Sequence, residues 1–128
     1  MTNAQSLLFV FGLGYSAAQL TARLRPQGWQ IGGTVRTEEK AARLRAEGIE
    51  AVAWTGQGPV TPPPGAHWLI TLPPGAEGCP AALVAGATAR TAASVTYLST
   101  TGVYGDLDGG WVFEWSPVAP GSARAAAR

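Results

Sequence analysis

The chain is poor in the residues that most often build disulfides, metal sites and proton relays: it has one cysteine, Cys79, one histidine, His67, and one methionine. A single cysteine rules out an intramolecular disulfide framework and cannot open a CxxC site. His67 lies far from it in sequence, so no metal ligand set is expected. A reducing compartment follows, and the expected location is cytoplasmic. Charge is also scarce, at 13% of 128 residues, with 9 Lys plus Arg against 8 Asp plus Glu and a formal net charge of +1. No basic block and no interleaving of basic and aromatic residues occurs, which argues against a nucleic-acid partner. Long hydrophobic runs are missing too. The apolar stretch at 7–14 is too short to span a bilayer, and residues 1–5 (MTNAQ) have no positive charge to open a secretory signal.

What is present is mostly apolar: 46% of the chain, five Trp among it, punctuated by 17 Gly and 10 Pro. That is too rich in core-forming residues for a disordered segment. The length suits one compact domain, residues 1–128, and not a cofactor domain with a separate substrate domain beside it.

Residues 6–11 (SLLFVF) form a continuous apolar run ending at Gly12, the pattern of a strand buried on both faces. A helix over 15–25 follows, bounded by Gly14 and by Pro26-Gln27-Gly28. Residues 29–35 read as a second strand, with Gly32 and Gly33 marking close backbone neighbours. Thr37 then caps a second helix whose acidic first turn is Glu38-Glu39, and 49–54 (IEAVAW) is a third, short strand. The stretch 55–65 holds four Pro and three Gly and is a rigid connection. Residues 66–72 (AHWLITL) give a fourth strand, 81–92 a helix, and 95–98 (VTYL) a fifth strand. This alternation predicts a three-layer α/β fold: one parallel Rossmann-type sheet in the order 3-2-1-4-5, with helices on both faces. The last residues, 122–128 (SARAAAR), have high helix propensity but are too few for a stable helix, so the domain is expected to be truncated. An exposed sheet flank, and hence self-association, is expected with it.

Gly12-Leu13-Gly14-Tyr15-Ser16-Ala17 matches G-x-G-x-x-A directly after a strand and at the start of a helix. Each small residue has its own task. Gly12 permits the tight turn, Gly14 lets backbone approach a pyrophosphate, and Ala17 keeps helix and sheet close, while the helix N-terminal amides face the anion. Tyr15 and Ser16 complete the candidate cofactor turn. An NAD-specific site places Asp or Glu at the end of the second strand to bind the ribose diol, but Arg36 stands there instead. A guanidinium attracts a 2′-phosphate, which favours NADP(H) over NAD(H). The other reading of Arg36 is an ordinary solvent-facing residue beside Glu38 and Glu39. Leu72 and Pro73 lie at the carboxyl end of the fourth strand, where open parallel sheets bind ligands. They either line the cofactor channel or form a rigid turn.

Three segments together carry a resemblance: Gly12–Ala17, residues 97–106 (YLSTTGVYGD) and 111–114 (WVFE). With these the chain resembles the extended short-chain dehydrogenase/reductase superfamily, in its atypical NAD(P)-dependent sugar epimerase/dehydratase-like branch. The resemblance implies hydride transfer between nicotinamide and a carbon bearing a hydroxyl or carbonyl, on a sugar or sugar-nucleotide substrate. It places the hydroxyl that assists the catalytic tyrosine at Thr100, a residue that equally suits a turn cap. It places the Tyr-x-x-x-Lys pair at Arg124 and Arg128, and arginine cannot alternate between acid and base as tyrosine does. Tyr104 belongs to the VYG block and is read as structural. Cofactor binding with impaired turnover is therefore expected, and the family's C-terminal substrate-binding part is absent from these residues. Two other readings stand beside it. One is a non-catalytic NADP(H)-binding or scaffolding module. The other is the cofactor domain of a β-hydroxyacid dehydrogenase, a group that shares GLG, an Arg after the second strand and Leu-Pro after the fourth, but not the YLSTTGVYGD block.

Overall fold

The computed structural model describes residues 6–55, 60–72, 87–98, 105 and 108–121. Five strands form one parallel sheet: β1 (Leu7–Phe11), β2 (Gln30–Val35), β3 (Glu50–Ala53), β4 (His67–Ile70) and β5 (Ser94–Tyr97). Their order is β3-β2-β1-β4-β5, as the alternation of elements predicts. β1 lies in the middle, with Phe11 opposite both Thr34 of β2 and Ile70 of β4. That central position accounts for its unbroken apolar sequence, since neither face meets water. The first four strands are each shorter than their apolar runs, and β5 is shifted by one residue from 95–98. Ala66, for example, is buried yet precedes β4, and Trp54 leaves β3 with its N–H donated to the Val35 carbonyl at 2.7 Å.

Strand alternation divides the core in two. Leu8 and Val10 point to one face and meet Ile31, Val35, Leu69 and the helix residues Ala17, Leu20, Ala41 and Leu44. The helices on that face are α1 (Tyr15–Leu24) and α2 (Glu38–Ala46). Phe9 and Phe11 point the other way, to Ala66, Trp68 and Ile70, with half-buried Trp54, Val60, Ala89 and Ala92 packed against them. Here Phe11 sits edge-on to Trp68 at 5.2 Å and to Trp54 at 6.1 Å between ring centroids. Burial of each large side chain of this kind is worth about 1.5–3 kcal/mol. Helical residues thus flank both faces, but on the second face the described segment is a 3-10 helix (Ala87–Thr91) where the sequence predicts an α-helix over 81–92. Residues 81–86 of that expected helix lie outside the described ones. The tighter winding fits the short distance to β5: Ala92 donates back to the Ala89 carbonyl, and the Thr91 carbonyl is occupied by the Gly65 N–H.

α1 begins at Gly14 without a side-chain cap and passes into a 3-10 turn (Arg25–Gln27) at Pro26. α2 begins at Thr37, whose Oγ1 accepts from the Lys40 N–H at 3.2 Å, so the capping role read from the sequence is present. Among the described residues no helix is long and apolar enough to cross a membrane.

Candidate functional site

The site lies where the chain leaves β1. Gly12 has φ +103°, a conformation that L side chains rarely adopt, and it reverses the backbone between the strand and α1. Four hydrogen bonds hold the reversal. The Gly12 N–H donates to Thr34 Oγ1 at 3.0 Å, and the Leu13 N–H donates to the Thr34 carbonyl at 2.9 Å. The Gly12 carbonyl accepts from the Gly14 N–H at 2.9 Å and from Thr71 Oγ1 at 2.6 Å. Leu13 is buried beneath the turn, which anchors it to the core on the α1 side.

Beyond Gly14 the geometry changes from closed to open. A Cβ on Gly14 would meet nothing within 4 Å, and Tyr15 and Ser16 are both exposed. The Ala18 N–H is the first to enter the helix ladder, bonding the Gly14 carbonyl at 2.9 Å. The amides of Tyr15, Ser16 and Ala17 consequently have no acceptor among the described residues, as helix geometry requires of a first turn without a cap. A turn with a bare glycine surface and three outward amides at the positive end of a helix fits the pyrophosphate of a dinucleotide. Ala17 is fully buried, so helix and sheet are in close contact.

Arg36 follows the last residue of β2 and is exposed. Its nearest acidic neighbour in sequence, Glu38, is paired with Arg45 instead. Arg36 has no ion pair among the described residues, and it stands at the carboxyl edge of the sheet, two residues past Thr34, the partner of Phe11 at the end of β1. Leu72 is half-buried just past β4, and its Cδ2 would stand 3.0 Å from a Cβ on Gly12. The structure therefore brings Gly12, Gly14, Tyr15, Ser16, Ala17, Arg36 and Leu72 to one end of the sheet. Pro73, Thr100, Tyr104, Arg124 and Arg128 lie outside the described residues. His67, the only histidine, starts β4 at the opposite end, where its Nδ1 lies 2.7 Å from Ser94 Oγ and its ring 5.3 Å from that of Trp29. Among the described residues no group of three or more His, Cys, Asp or Glu side chains could hold a metal ion.

Thr34 and Thr71 are the participants that sequence reasoning misses. Threonine near the end of a strand is ordinary, and only the register of β1 between β2 and β4 reveals that both hydroxyls converge on Gly12.

Sheet order, glycine turn and flanking helices define a Rossmann-type α/β domain, an architecture consistent with a nucleotide- or cofactor-binding module. Among solved structures, the chain is similar to a functionally unknown conserved protein from Silicibacter pomeroyi DSS, with 41% sequence identity and a TM-score of 0.77. The match covers 97% of this chain and 46% of that one, so the chain spans less than half the length of its relative. No family model matches the chain, and neither does any curated protein.

Proposed function

We propose that this chain binds NADP(H) and is the cofactor domain of an epimerase/dehydratase-like oxidoreductase acting on a sugar or sugar-nucleotide hydroxyl or carbonyl. The observation that carries the reading is the juxtaposition at the carboxyl end of β1 and β2. Three outward amides at the start of α1 stand beside an exposed Arg36 that has no acidic partner among the described residues. The pyrophosphate is held by the amides of Tyr15, Ser16 and Ala17 across the bare surface of Gly14, and the 2′-phosphate by Arg36. Leu72 borders the turn on its β4 side. When bound, the cofactor supplies hydride chemistry at its nicotinamide ring.

Turnover by these 128 residues is expected to be weak, because the matched proton-transfer positions hold Arg124 and Arg128. That substitution also supports the second reading, a module that binds NADP(H) without catalysis. One experiment separates them: titrate the chain with NADPH and NADH, then follow NADPH absorbance over a panel of carbonyl and sugar-nucleotide substrates. Binding of NADPH with steady turnover supports the oxidoreductase, and binding with unchanged absorbance supports the module. Failure to bind either nucleotide rejects both.

A further inference from the structure

We infer that Thr34 and Thr71 are positioning residues whose hydroxyls clasp Gly12 from the two neighbouring strands and hold the turn in its nucleotide-binding shape before any nucleotide arrives. The inference rests on the dinucleotide reading above and adds to it the residues that set the shape of the turn.

At Gly12 the chain leaves the regular ladder of β1, so its N–H and carbonyl need other partners. β2 supplies one: Thr34, a residue only 2% exposed, presents Oγ1 to the Gly12 N–H at 3.0 Å. β4 is followed at once by the other: Thr71 Oγ1 lies 2.6 Å from the Gly12 carbonyl oxygen and 3.1 Å from that of Phe11. A hydroxyl has one proton to give, and the shorter distance assigns it to Gly12. The Gly12 carbonyl also accepts from the Gly14 N–H, so both polar groups of Gly12 are directed inward. The amides of Tyr15, Ser16 and Ala17 are left as the ones that face outward.

Glycine has the most conformational freedom to lose, so fixing it benefits most from external partners. With the clasp weakened, a smaller fraction of molecules has the competent turn, and apparent nucleotide affinity falls by that fraction. Loss of one ordinary hydrogen bond corresponds to about a threefold to tenfold decrease. Valine matches threonine in shape but lacks the hydroxyl, whereas serine keeps it.

The test uses the full 128-residue chain as wild type, Thr34→Val, Thr71→Val, Thr34→Ser and Thr71→Ser. NADPH is titrated into each, and amide hydrogen exchange is measured without nucleotide. Both valine variants are expected to bind NADPH about threefold to tenfold more weakly and both serine variants to approach wild type. In Thr34→Val the Gly12 amide is expected to lose protection while those of Leu8 and Val10 keep theirs. Valine variants that bind as tightly as wild type would overturn the inference. So would serine variants that fail to rescue, or protection lost along the whole of β1, since either assigns the threonines to general packing. If wild type binds no NADPH, the dinucleotide reading fails and the positioning role with it. If wild type binds and the valine variants match it, only the positioning role fails.

Discussion

Gly33 of β2 lies against Leu13 of the glycine turn: a methyl group on Gly33 would stand 2.9 Å from Leu13 Cγ and overlap the Val10 carbonyl oxygen. Leu13 can reach the core only because this strand position has no side chain. Gly33→Ala is therefore expected to lower stability by about 1–3 kcal/mol, the usual result of forcing a methyl into filled space. Urea denaturation checks it, and an unchanged midpoint would mean that β1 and β2 separate freely at this point.

The two glycines of the turn are expected to respond differently to an added side chain. At Gly12 the left-handed φ and the nearness of Thr71 Oγ1, 2.5 Å from an added Cβ, make Gly12→Ala costly to the fold itself, by about 1–2 kcal/mol from the backbone alone. Gly14 has an ordinary negative φ of −110° and open space around it, so Gly14→Val should cost only the modest penalty of a poorer helix cap, less than Gly12→Ala, while obstructing NADPH. Paired melting curves and titrations decide the matter. Equal loss of stability in both variants would contradict it.

Arg36→Ala is expected to weaken NADPH binding by about tenfold or more and leave NADH binding nearly unaltered, because a charge-assisted contact to the 2′-phosphate is present in only one of the two nucleotides. Equal effects on both would place Arg36 in solvent with no part in recognition.

Removing the cap of α2 has a separate signature. Thr37→Ala deletes the acceptor of the Lys40 N–H and should cost about 1 kcal/mol of stability. Chemical denaturation reads this directly, with Thr37→Ser expected to retain most of the wild-type value.

Trp111 and Trp115 are 88% and 81% exposed, and Phe113 stacks on Trp115 with ring centroids 4.9 Å apart. An uncovered aromatic segment of this kind promotes association, and the apparent mass from light scattering is expected to rise with concentration. A constant monomer mass over a wide range would contradict this.

The fold was legible because its strongest signals are local. The run at 7–11, the reversal at Gly12 and the alanine- and leucine-containing helix after it form one strand, turn and helix within 18 residues (Leu7–Leu24), each with its own cause in composition. Strand ends were harder to read, since apolar residues such as Ala66 and Leu72 continue past the point where pairing stops. The alanine-rich stretch before β5 misleads in the same way. Propensity favours an α-helix there, but contacts to Gly65 and the nearness of Ser94 leave a 3-10 turn over 87–91. Arg36 and the glycines could be found by their spacing. Thr34 and Thr71 could not, because their role depends on strands brought together from sequence separations of 22 and 59 residues from Gly12.

The strand order has a consequence for synthesis. Of the five described strands, the earliest in sequence, Leu7–Phe11, is the central one, and β2 can cover only one of its edges. Its other edge stays open until His67–Ile70 has been made, so about sixty residues emerge while an uncharged, apolar strand lacks half its backbone partners. Non-local pairing of this kind forms slowly and exposes sticky surface in the meantime. A nascent chain that stops short of Thr71 therefore has the β4-facing edge of Leu7–Phe11 open and lacks the hydroxyl that holds the Gly12 carbonyl, so the turn cannot take its final form until β4 is in place.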